Sequence, residues 1–198
     1  MIGVAALLLV AGQSPYFPLP GAFAAPGCPP LVAGGSERPF LRNGEWLGRE
    51  LTATGEISLY HLARTGDADV VRFLWMPSFH PTVRVRIEGL GSATPRLIAV
   101  QGSERGGRGS AGVGARIDRR LTADETKAMR ALLDPAVLFP AKGRNHGNPV
   151  LDGAQWLIER VGKVRCYTAA TEHSPDTGLL HAAGIAMLRL TGWAIDPY

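Results

Sequence analysis

The chain predicts an α+β domain: a mainly antiparallel sheet of about five to seven strands with two packed helices, at about 122–134 and 175–191. Three observations carry this expectation. Short alternating apolar segments recur through the middle of the chain, joined by turn residues with no room for crossover helices. Leu121-Thr122-Ala123-Asp124-Glu125 spells a capping box. Residues 151–193 then read without a gap as strand, tight turn, strand and capped helix.

With 198 residues, 45% of them hydrophobic and 19% charged, the chain is long enough to bury one core of ordinary size. The expected organisation is a signal peptide or leader over 1–24, a Pro/Gly/Ala-rich linker over 25–39, and a single domain over 40–198. No charge precedes Glu37, and residues 4–11 form an apolar run of signal-core length, too short to span a bilayer as a helix. Ala22-Phe23-Ala24 offers a small-x-small cleavage site, and Val10-Ala11-Gly12 offers an earlier one. A positive n-region is missing, which either rules the signal out or places the true start upstream of Met1.

In the body, 41–51 is ambiguous. Ile57, Leu59, Val70, Val71, Phe73 and Trp75 suggest two strands separated by the turn Thr65-Gly66-Asp67. Residues 82–88 alternate Val83, Val85 and Ile87 with Arg84, Arg86 and Glu88, the pattern of a half-exposed strand. Further strands are expected over 96–101 and 115–119, followed by the helix that Thr122 opens. Asp152-Gly153 marks a turn, and 154–161 alternates Trp156 and Ile158 with Gln155 and Glu159. Gly162-Lys163 separates that strand from one over 164–169. Ser174-Pro175 reads as an N-cap and first helical residue, with Gly192 as the stop.

The 21 basic and 17 acidic residues leave a formal charge of +4, but the bases are scattered along the sequence. Only Arg84 with Arg86, and Arg116 with Arg119-Arg120, approach a cluster, which argues against a nucleic-acid surface. Gly107-Arg108-Gly109-Ser110-Ala111-Gly112 has dinucleotide-binding spacing but precedes a strand where a helix is needed, so it reads as a loop. His61, His80, His146, His173 and His181 show no zinc-type spacing. No metal or other cofactor is expected.

The candidate catalytic constellation is Asp152, Glu159 and His173, a carboxylate-oriented histidine at one edge of the hairpin. Cys28 and Cys166 are a candidate disulfide. Cys28 is also a candidate lipidation site, because Ala25-Pro26-Gly27-Cys28 faintly resembles a lipobox. Trp46, Phe79 and Trp193 are candidate contacts for a protein or envelope component.

Phe73-Leu74-Trp75-Met76-Pro77-Ser78-Phe79-His80-Pro81, the Leu121-Thr122 box and Asp152-Gly153-Ala154-Gln155-Trp156-Leu157-Ile158-Glu159 resemble a family of uncharacterised bacterial proteins. In these a D-G-x-x-W-x-x-E strand precedes a tyrosine-containing strand and a Ser-Pro-capped helix. The resemblance covers about residues 70–193 and implies a fold, with no activity attached.

Together these readings predict an exported or envelope-associated protein, periplasmic or secreted, that acts as a non-catalytic binding or structural module. The alternatives are a hydrolase using Asp152, Glu159 and His173, a lipid anchor at Cys28, and a cytoplasmic location if the N-terminal segment is no signal.

Overall fold

A computed structural model describes residues 16–18, 28, 38–105, 112–134, 138, 152–162 and 165–197. Most of the expected leader and linker, residues 107–111 of the glycine-rich loop, and His146 lie outside these residues.

The fold is α+β. The elements run α1 (Arg38–Ala53), α2 (Leu59–Thr65), β1 (Val70–Pro77), β2 (Pro81–Glu88), β3 (Arg96–Arg105), β4 (Val113–Arg120), α3 (Ala123–Leu132), β5 (Ala154–Val161), β6 (Tyr167–His173) and α4 (Gly178–Arg189). Six strands form one sheet in the order β4-β3-β2-β1-β5-β6. Every neighbouring pair is antiparallel.

Alternation along each strand sends side chains to two faces, and both faces are covered at the centre. On one, Val71, Phe73, Trp75, Trp156 and Ile158 meet Met129 of α3 and Ala183 and Met187 of α4. On the other, Val70, Leu74, Leu157 and Tyr167 meet Leu47 and Leu51 of α1, Leu59 and Ala63 of α2, and Phe17 from the N-terminal segment. β1 is consequently buried along its whole length. The expected half-exposed faces of β2 and β5 are covered for the same reason: Arg84 is 3% exposed and Glu159 not at all.

The Thr122 box forms as expected. Its Oγ1 accepts the Glu125 N–H at 3.2 Å, and the Glu125 carboxylate accepts the Thr122 N–H at 2.8 Å. Arg119 ties this helix start to β4 through paired bonds of 2.7 and 2.8 Å to Glu125, and donates to the Leu190 carbonyl at the end of α4.

Four expected elements change. The ambiguous 41–51 segment belongs to α1, whose buried Leu47 and Leu51 have the four-residue spacing of one helical face. Leu59 starts a helix and not a strand, because the Ser58 side chain accepts the His61 N–H and caps it. Ile57, expected in the same strand as Leu59, is exposed. Ser174 does not cap α4: the cap position is Thr177 and lacks a side-chain bond. Ser174 has a positive φ of 43°, and its Oγ accepts the Ala154 N–H at 2.8 Å, so it serves the first residue of β5. β6 also starts later than expected, because the turn extends through Arg165 at φ 60° before Tyr167 pairs with Val161.

Candidate functional site

Arg72 on β1 stands opposite Glu159 on β5. Its Nε and Nη2 donate to one Glu159 oxygen at 2.9 and 2.5 Å. The other Glu159 oxygen accepts the Tyr167 hydroxyl at 3.0 Å. Arg72 Nη1 reaches Glu56 at 3.3 Å and the Ile57 carbonyl at 2.8 Å. Arg86 approaches the same Glu56 oxygen at 2.7 Å, and Arg84 donates to the Thr54 carbonyl at 2.8 Å. The Tyr16 ring lies 5.5 Å from the Arg72 guanidinium carbon, in cation–π contact.

This network sits between the sheet and the α1/α2 layer, and burial dominates its electrostatics. Burial raises the Tyr167 hydroxyl well above its ordinary range, with the Glu159 charge adding to the effect. Tyr16 is also raised, chiefly by burial. Burial lowers Arg84 to about 10 against the opposing pull of Glu56. For Arg72, burial would lower the value, but the charges of Glu159, Tyr16 and Glu56 outweigh it and the guanidinium is held above its usual range. The groups satisfy one another. A carboxylate with both oxygens engaged and no exposure is a structural counter-ion, closed to a substrate.

The expected catalytic constellation does not assemble around Glu159. His173 pairs with Gln155, on the same sheet face as Glu159 but four residues along β5 from it, or about 13 Å at strand rise. Asp152 and His173 are both exposed at the start of the hairpin. They share a corner that is held by other groups. Ser78 Oγ donates to the Gly153 carbonyl at 3.0 Å, and Ser174 holds Ala154. A Cβ on Gly153 would stand 2.8 Å from His173 Nε2 and also collide with the Ser174 hydroxyl, so this position needs glycine. The corner joins β1, β5 and β6.

Cys28 and Cys166 form a disulfide across 138 residues of sequence. The bond occupies the sulfur that acylation at Cys28 would require, so pairing and lipidation exclude each other.

The three expected partner contacts are dispersed. Trp46 packs on the α1/α2 side, Trp193 on the α3/α4 side, and Phe79 is 56% exposed in the β1–β2 turn. Trp193 instead lines a pocket of about 300 Å³ with Ile185, Leu188, Ile195, Arg189 and Asp196. The pocket exists because the chain reverses after α4. Gly192 adopts φ 68°, the Trp193 N–H donates to Thr191 Oγ1 at 3.1 Å, and the Ile195 N–H donates to the Trp193 carbonyl at 2.9 Å. Sequence reading identified Gly192 as the helix stop but missed the returning tail. Its signal is the alternation of Trp193 and Ile195 just past that glycine.

Among the described residues no helix is long and apolar enough to cross a membrane, and no three His, Cys, Asp or Glu side chains gather as metal ligands. Comparison with known proteins finds no matching family model, no similar curated protein and no similar solved structure.

Proposed function

We propose that this is an exported, non-catalytic binding module, whose pocket between α4 and the returning tail receives one amphipathic anchor side chain of a protein or envelope partner. The pocket beside Trp193 carries the reading. Its volume of about 300 Å³ is at the lower end of ligand sites and suits a single aromatic or branched side chain of the kind that dominates interface energetics. Ile185, Leu188, Trp193 and Ile195 line it together with Arg189 and Asp196, and its accessible lining is more polar than apolar, which suits an anchor with an apolar body and a polar tip. The disulfide supports an oxidising compartment, where such bonds persist.

The hydrolase alternative has less support. Glu159 is committed to Arg72 and Tyr167, and Asp152 and His173 stand apart from it in solvent. The α1/α2 layer covers Arg72 and Glu159, which have no exposed surface.

The reading is tested by titrating the protein with 8-anilinonaphthalene-1-sulfonate while following tryptophan emission. Saturable quenching that is lost in Ile185→Glu, with the far-ultraviolet spectrum unchanged, is expected. Quenching that persists in Ile185→Glu, or no quenching in the parent protein, would remove the pocket as the binding site.

A further inference from the structure

The two edges of the sheet differ. At β6 the edge is closed, with Tyr167, Thr168, Ala169 and Ala170 all buried. β4 pairs with β3 on one side, ends the strand order on the other, and is exposed or half-exposed at every position. The Leu121 N–H donates to the Pro95 carbonyl at 2.9 Å. By the alternation of an antiparallel ladder, Arg119, Ile117 and Ala115 therefore aim their backbone groups at β3, while Arg120, Asp118 and Arg116 aim theirs outward. The Arg120 carbonyl also accepts Arg119 Nη1 at 3.1 Å. Such an edge is a template for another strand unless its side chains oppose one.

We propose that two copies of this chain join edge to edge through β4, antiparallel about a two-fold axis, with Arg116 of each copy opposite Asp118 of the other. Charge selects this register. Backbone bonding requires outward residues to meet outward residues. Setting Asp118 against itself also sets Arg116 against Arg120, and setting Arg116 against itself pairs two cations. Asp118 against Arg120 runs each strand into the start of α3 and brings Arg119 against Arg119. Arg116 against Asp118 gives two pairs of opposite sign, and both side chains are accessible, at 58% and 31%. Asp118 keeps its 2.7 Å bond to Arg96, and Arg120 falls opposite Gly114, which has no side chain to clash with it. On the other face Ile117, only partly buried against the core, meets Ile117 of the second copy at the axis. Theirs is a pair without backbone bonds, the kind whose side chains come closest. The apolar layer beneath α3 and α4 then continues from one copy into the next. The interface is isologous and closes with two copies.

The test is sedimentation velocity of the full chain over a wide range of concentration, with far-ultraviolet spectra to show that each variant is folded. The parent protein is expected to pass from monomer to dimer as concentration rises. Arg116→Asp and Asp118→Arg each set like charges in both pairs and should weaken the dimer about tenfold or more. An equimolar mixture of the two variants should recover it, because each supplies the sign the other lacks. A parent that stays monomeric, single variants that dimerise as the parent does, or a mixture no tighter than its components overturns the proposal. Should either charge variant fail to fold, the decision passes to cross-linking. Ile117→Cys should give a dimer linked through the new cysteine on mild oxidation, and Arg120→Cys should not. Any other pattern overturns the register and the dimer with it.

Discussion

Arg72 and Glu159 meet across the neighbouring strands β1 and β5 with no exposed surface on either residue, bonded at 2.9 and 2.5 Å. Removing either charge leaves the other uncompensated in a low-dielectric interior. Glu159→Gln should therefore destabilise the protein by about 3–5 kcal/mol, measured by urea denaturation. The double variant Arg72→Met with Glu159→Leu should recover much of that loss. A double variant as unstable as the sum of its single parents would show that the pair is not coupled.

Stability should fall in acid through Glu125. The Arg119 guanidinium, helped by the Thr122 amide, holds its carboxyl down to about 2 from an ordinary 4.5. A carboxyl depressed in the folded state contributes stability that is complete above about 4.5 and is lost as pH drops toward about 2. Glu125→Gln should flatten this limb of the stability curve between pH 5 and 2. An unchanged slope would show that the capping box does not titrate with folding.

In alkali the buried tyrosines act in the opposite direction. Burial and the neighbouring Glu159 charge raise Tyr167, so the folded protein keeps a proton that the unfolded chain releases above pH 10. The contribution of Tyr167 to stability is therefore present below pH 10 and is lost as pH rises beyond it. Tyr167→Phe should be less stable at neutral pH, yet lose less stability than the parent between pH 10 and 11.5. Parallel curves would refute the assignment.

Gly184 on α4 has no space for a side chain: a Cβ would stand 2.7 Å from Trp156 Cε3 and 2.9 Å from Phe73 Cε2. Gly184→Ala should cost about 1–3 kcal/mol by overpacking, despite the better helix propensity of alanine. Gly162→Ala, which meets nothing within 4 Å, should be nearly neutral. Equal effects at the two positions would show that α4 moves away from the sheet without penalty.

Reduction of Cys28–Cys166 should lower stability by about 2–5 kcal/mol, since the bond closes a long loop. Thermal melts with and without a phosphine reductant measure this. The variant Cys28→Ser with Cys166→Ser should match the reduced protein and ignore the reductant.

The sheet was legible because alternation survives in 82–88 and 154–161, and the Thr122 box because its two partners lie three residues apart. The helix layer over β1 and β5 was not. In α1 the apolar positions Leu47 and Leu51 are diluted by the glycines that admit Tyr16 and Phe17, which hides the helical period. Once that layer is missed, Arg84 and Glu159 read as solvated. The overlooked signal was a single charge set inside the otherwise apolar run 70–76, Arg72, which calls for a buried partner of opposite sign such as Glu159. Ser174 misled because Ser-Pro is a strong cap signal, whereas the backbone at Ser174 turns left-handed and spends its hydroxyl on Ala154.

The sheet order also sets when the protein can fold. β2, β3 and β4 follow β1 directly, but the strand on its other side arrives much later: Arg72 and Glu159 are 87 positions apart, and the two cysteines 138. Until β5 emerges, β1 has a bare edge and Arg72 lacks its Glu159 partner, so the centre cannot close on a nascent chain. Such distant pairings form slowly. Closure of β1 and formation of the Cys28–Cys166 bond therefore both wait for the end of the chain.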